Sequence, residues 1–167
     1  MSSRNVISGT GNGEFSPEAT ITRAQFATIL ARLSGDDLSG QAASVYSDAS
    51  AGDWFFQAAQ WANQTSISTG SGGKFNPNEG ITREQMAVML YRYAKYKGYD
   101  VSIGEDTNIL SYNDSLSISN YAYASLQWAC GAEIIQGDHA GNLNPNGCAT
   151  RAQAAAILQR FIDNVAD

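Results

Sequence analysis

The chain has 167 residues, of which 43% are hydrophobic and 16% charged, with a formal net charge of -6. That length can bury a sizeable core, and the composition suits a soluble globular protein rather than a disordered one. No apolar run approaches the roughly 20 residues a membrane-spanning helix requires. The ten basic residues are scattered, which argues against nucleic acid as a partner, because a phosphate backbone is bound through clustered Lys and Arg.

Met1 to Arg4 leads straight into Asn5-Val6-Ile7-Ser8-Gly9, without the basic start, apolar stretch and cleavage site of a secretory signal. If the protein is exported, its signal is expected outside this chain. The glycine-rich stretch Gly9–Gly13 precedes Phe15 and Pro17, and Thr22-Arg23-Ala24-Gln25 then opens an apolar pattern at Phe26, Ile29, Leu30 and Leu33. This i, i+3, i+4, i+7 spacing predicts an amphipathic helix over 23–34. After a polar stretch, Tyr46-Ser47-Asp48 precedes a Trp-bearing helical segment, Trp54–Ala62. The glycine turn Gly70–Gly73, Phe75, Pro77 and Thr82-Arg83-Glu84-Gln85 follow, and the pattern predicts a helix over 83–97. The same order recurs with Tyr112-Asn113-Asp114, Tyr121–Ala129, Gly137–Gly141, Leu143, Pro145 and Thr150-Arg151-Ala152-Gln153, ahead of a helix predicted over 151–165.

The three motif arginines stand 60 and 68 positions apart, so the chain is a tandem repeat. We expect an all-α fold of three pseudo-symmetric helix–loop–helix repeats sharing one core, because one such unit cannot bury its own apolar stripe. The boundaries are a partial first repeat at 1–34, a linker at 35–45, a second repeat at 46–97, a linker at 98–111 and a third repeat at 112–167. Repeat one has no front helix: Val6-Ile7 corresponds to the segment just after that helix, around Ile67 and Ile134-Ile135. The chain is expected to begin in mid-repeat.

Thr-x-x-Gln is a capping box, which accounts for Thr22, Thr82, Thr150 and their glutamines. It does not account for Arg23, Arg83 and Arg151, since a cation in the first helical turn opposes the macrodipole by about 0.3–1 kcal/mol. Free helix-end amides and a guanidinium can converge on one carboxylate or phosphate. An anion-binding role for these arginines stands beside an intramolecular ion pair with Asp48 or Asp114. Arg32, Arg92 and Arg160 sit in C-terminal helix halves, where cations are favoured, and read as structural. Trp61 and Trp128 fit either a buried helix face or a stacking surface for a pyranose, with Trp54 and Tyr121 as alternatives for the second role.

Asp48 and Asp114 read as caps or turn residues, and Asp48–Asp53 lacks the ligand pattern of a calcium loop. The glycine loops match no phosphate-binding fingerprint. Gly72, Gly73 and Gly141 are candidates for close approach of a sugar to the backbone. His139 is the single histidine, without a nucleophile or orienting partner, so no catalytic set, metal site or cofactor is expected. Cys130 and Cys148 allow either a disulfide or two free thiols.

The order aromatic-x-Asp, Trp-Ala, glycine turn, Phe-x-Pro and Ile-Thr-Arg-x-Gln, here Tyr46-Ser47-Asp48, Trp61-Ala62, Phe75-Asn76-Pro77 and Ile81–Gln85, resembles the S-layer homology domain. The resemblance covers nearly the whole chain. It implies a pseudo-trimeric helical module at a bacterial cell surface that holds exported proteins to the wall by binding secondary cell-wall polysaccharide, often pyruvylated. It implies that Arg23, Arg83 and Arg151 contribute to that binding, with no catalysis and no membrane insertion. The sequence departs from the family at Gln25, Gln85 and Gln153, where an acid is commoner, and at Leu143 and Ala149. A rival reading is an assembly module, whose missing first-repeat helix comes from a partner or a second copy.

Overall fold

The computed structural model describes residues 18–39 and 45–166. Val6-Ile7, the first glycine turn, Phe15 and Pro17 therefore lie outside the described residues. Within them the secondary structure is five α-helices, α1 (Arg23–Ser34), α2 (Phe56–Gln64), α3 (Arg83–Lys97), α4 (Tyr123–Gly131) and α5 (Arg151–Asn164), with short 3-10 turns between α3 and α4. The described residues form no strand or sheet, only isolated bridges.

The long helices begin where the capping boxes stand. In α1 the Gln25 amide donates to Thr22 Oγ1 at 3.1 Å and the Thr22 amide to Gln25 Oε1 at 2.9 Å. The same reciprocal pair starts α3 through Thr82 and Gln85 and α5 through Thr150 and Gln153. Two donors at each helix start are satisfied without help from other segments. Gly35 and Gly98 end α1 and α3 in the left-handed conformation, with φ of 74° and 79°, as C-terminal glycines commonly do. The front helices α2 and α4 have no side-chain cap, and they start two residues later than Trp54 and Tyr121.

The three Arg-bearing motifs meet in a closed ring. The Ile21 amide donates to the Ala149 carbonyl, the Ala149 amide to the Ile81 carbonyl and the Ile81 amide to the Ile21 carbonyl, each at 3.0 Å. A second ring lies around the first: Arg23 N–H donates to Glu79, Arg83 N–H to Gly147 and Arg151 N–H to Ala19, at 2.9, 2.9 and 2.8 Å. The two rings run in opposite senses, so each motif gives one amide and one carbonyl to each of its neighbours. Ile21, Ile81 and Ala149 are fully buried, and a buried peptide group must be paired to avoid a desolvation penalty. Below the ring Phe26, Met86, Leu30, Leu90 and Leu158 are also fully buried, and each such side chain contributes about 1.5–3 kcal/mol.

The front helices join neighbouring repeats, with α2 packed on α1 and α4 on α3. Trp61 is 3% exposed, its indole N–H donating to Asp36 Oδ2 at 2.8 Å and its ring lying near Tyr93 and Tyr96. Trp128 is 1% exposed, packed against Tyr91 and Phe161. The stretch 98–111 is more than a connection. It holds a 3-10 turn at Ser102–Asp106, a buried Ile109, and Gly104, where an added Cβ would stand 3.0 Å from the Trp128 backbone. Such short turns carry too little periodicity to be seen in sequence.

Candidate functional site

Two grooves of like construction run between neighbouring repeats. The first, of about 540 Å³, is lined by Arg23 from α1, the loop 67–71 after α2, Gln85 and Arg92 from α3, and Tyr121 ahead of α4. The second, of about 220 Å³, is lined by Arg83, the loop 135–137 and Gln153, Ile157 and Arg160 of α5. Corresponding residues of successive repeats fill the corresponding places.

Two of the motif arginines, Arg23 and Arg83, cross to the next repeat. Arg23 Nε donates to the Phe75 carbonyl and Nη2 to Ser68 Oγ, both at 2.9 Å, and the guanidinium lies 5.4 Å from the Phe75 ring centre. Arg83 Nε donates to the Leu143 carbonyl at 2.8 Å and Nη2 to the Gln136 carbonyl at 3.1 Å. Burial pushes the pKa of both below the ordinary arginine value. The carbonyl acceptors offset that cost, and a guanidinium with five N–H donors keeps others for a ligand. Arg151 holds the same register at the start of α5 and is only 4% exposed.

The acids that stood as alternative partners for these arginines bind elsewhere. Asp48 accepts from the amides of Phe75 and Asn76 at 2.8 and 2.9 Å, and Asp114 accepts from those of Leu143 and Asn144 at 2.9 and 2.8 Å. Among the described residues neither acid forms an ion pair with Arg23 or Arg83; each fixes the loop whose carbonyl the arginine reads. In place of the local cap or turn contact expected from sequence, each carboxylate bonds amides 27 to 30 positions further along.

Arg92 and Arg160, structural on the sequence reading, each bond a loop carbonyl and also line a groove. Arg92 Nη1 donates to the Ile67 carbonyl at 3.4 Å and Arg160 Nη1 to the Ile134 carbonyl at 3.3 Å. Each described groove therefore carries two guanidiniums from different repeats. The signal available in sequence was their repetition nine residues after Arg23, Arg83 and Arg151.

Other expectations shift with the structure. Trp61 and Trp128 lie in the core, so their faces are not open to a sugar. Tyr121, 57% exposed, is the aromatic that reaches the first groove. Gly72 and Gly73 take φ of 58° and 77° and form the two-residue turn closed by Ser71 and Lys74 at 2.8 and 3.0 Å, the geometry that asks for positive φ at both central positions. With Gly141, they line neither groove. Gly70 and Gly137 do: an added Cβ would collide with the Tyr46 and Tyr112 rings respectively. Cys130 and Cys148 are free thiols. His139 is exposed in its loop.

Like motifs meeting in one ring, with arginines projecting into open grooves between neighbours, define a helical repeat module built around inter-repeat surfaces. The chain belongs to the S-layer homology domain family, which matches residues 1–27, 45–87 and 111–155. It is 37% identical over 96% of its length to an endoglucanase of Bacillus sp. (strain KSM-635) and 32% identical over 98% to exoglucanase XynX of Acetivibrio thermocellus. It is 30% identical over 96% to the surface-layer 125 kDa protein of Lysinibacillus sphaericus. The chain spans only 17%, 15% and 13% of the length of these relatives. It is a cell-surface anchoring module of the bacterial wall.

Proposed function

We propose that this module anchors by holding an anionic secondary cell-wall polysaccharide, such as a pyruvylated one, in its inter-repeat grooves. The observation that carries the reading is the pairing of Arg23 with Arg92 in the first groove, repeated by Arg83 with Arg160 in the second. Two guanidiniums facing one cleft suit a carboxylate, because charge-assisted hydrogen bonds are about twice as strong as neutral ones. Tyr121 offers an apolar ring face for a pyranose beside Arg23, while Ser68 to Ser71 and Gln85 supply groups for hydroxyls. The acidic net charge does not oppose this, because charges beyond a Debye length of about 8–10 Å are screened. No catalytic role is proposed.

Sedimentation with bacterial wall sacculi tests the reading, before and after mild acid removal of pyruvate. Arg23→Ala together with Arg83→Ala in a folded protein is expected to abolish cosedimentation. Undiminished binding by that variant would sink the proposal.

One observation favours a second reading, an assembly role. On α1 and α3 the positions Ala24 and Glu84, and Ala27 and Ala87, are buried, whereas their counterparts on α5 are exposed at Ala152 and half-buried at Ala155. Among the described residues no helix lies against α5 backbone to backbone as α2 does on α1 and α4 on α3. A helix from a second copy or a partner would fit that face, and light scattering showing only monomer would count against it.

A further inference from the structure

Glu84 stands second in α3, at the place that Ala24 and Ala152 hold in the other two motif helices. An acid is the least expected residue to be buried without partners, yet Glu84 is 2% exposed. Its Oε1 accepts from the Ser119 amide at 3.1 Å. Its carboxylate and the Gln85 side chain also lie near enough to the Tyr121 hydroxyl to act on its titration. Ser119 precedes the 3-10 turn Asn120–Ala122 that carries Tyr121, so the buried carboxylate holds that turn by its backbone, beside the aromatic it presents to the groove. That bond crosses from repeat two to repeat three.

We propose that Glu84 is a positioning residue that fixes Tyr121 as the aromatic wall of the first groove, making this groove the principal site for an acid-bearing pyranose. The inference rests on the glycan-binding reading above. The sugar ring lies on Tyr121 while its acid group meets Arg23 and Arg92. Trp54 marks the contrast: it has the register of Tyr121 in repeat two, but Ala24 opposite offers no acceptor. Trp54 is 65% exposed and rests edge-on against Phe55, with ring centres 5.5 Å apart. An aromatic held in place before binding loses less freedom when the ligand arrives.

Two readouts on the whole chain separate the tether from the glycan reading. The first is calorimetric affinity for purified pyruvylated wall polysaccharide. The second is the titration of the Tyr121 ring by NMR, assigned through its loss in Tyr121→Phe. Burial first, and Glu84 second, raise the Tyr121 pKa above its usual 10.0. Glu84→Ala is expected to weaken binding about tenfold, equal to about 1.4 kcal/mol, and to lower the Tyr121 titration point. Glu84→Gln, which keeps an acceptor for Ser119, is expected to lower that point too while retaining most of the affinity. It serves if the alanine variant does not fold.

Unchanged affinity in folded Glu84→Ala, or an unmoved Tyr121 titration in both variants, overturns the inference. A wild-type chain that binds no polysaccharide, with Tyr121 still responding to Glu84, would instead overturn the glycan reading and leave only the tether.

Discussion

Arg23 and Asp48 grip the same residue from opposite sides: Arg23 Nε donates to the carbonyl of Phe75, and the Asp48 carboxylate accepts from its amide. Arg83 and Asp114 hold Leu143 in the same way. The conformation of each loop is thus set by an acid in its own repeat and a base in the preceding one. Asp48→Ala is expected to destabilise the protein by about 1–3 kcal/mol, the penalty for a buried donor left unpaired, since Phe75 is fully buried. Urea unfolding would measure it, and Asp48→Asn, which retains one acceptor, should cost less.

Acid pH should act through Asp36 and Asp48. Asp36 titrates below its usual 3.8 because of hydrogen bonds first from Tyr96 and then from Trp61. For Asp48 burial is the largest influence and would raise the pKa, but the amides of Phe75 and Asn76 outweigh it and the net shift is downward. A carboxyl whose pKa is lower folded than unfolded contributes stability that is complete above the unfolded value. That stability is lost as pH falls through the folded one. The melting temperature should therefore hold level from about pH 7 to pH 5 and drop below about pH 4. In Asp36→Asn the acid part of that profile should be shallower.

The glycines divide by what surrounds them. Gly70 has φ of 71° and an added Cβ would strike both the Lys74 carbonyl and the Tyr46 ring. Gly72 has φ of 58° and open space around it. Gly72→Ala should cost only the left-handed penalty of about 1–2 kcal/mol. Gly70→Ala should cost clearly more and weaken wall binding, because it displaces a groove-lining loop. Thermal melts of the two variants side by side would reveal any inversion of that order.

The thiols should react at very different rates. Cys148 is exposed, whereas burial pushes the Cys130 thiol up to about 11, with the nearby Arg83 pulling weakly the other way. The thiolate is the reactive form, so an aromatic disulfide reagent at neutral pH should modify one thiol quickly and the second slowly. Reductant should leave the melting temperature unchanged. A large drop on reduction would mean that the two sulfurs are bonded.

The motif helices were legible in sequence almost to the residue. Helices read over 23–34, 83–97 and 151–165 are found at Arg23–Ser34, Arg83–Lys97 and Arg151–Asn164. Their starts are local events, because a Thr and a Gln three residues apart satisfy the first amides by themselves. The front helices were placed two residues early because Phe55 and Ala122 supply no cap and their starts depend on packing. Family membership was legible as well, because it rests on the order and spacing of short motifs along one chain.

What the sequence by itself determined about this protein is therefore the helices, the repeat and the arginine at the head of each motif helix. The tertiary structure alone decided which groups meet across repeats. It closed the ring of Ile21, Ile81 and Ala149, sent Trp61 and Trp128 inward, and turned Arg92 and Arg160 toward the grooves. It also brought Glu84 under Tyr121, two residues 37 positions apart in the chain. Periodicity reports which face of a helix is apolar, but not which neighbour covers it. That depends on how three half-buried units settle around one core, and no single repeat encodes it.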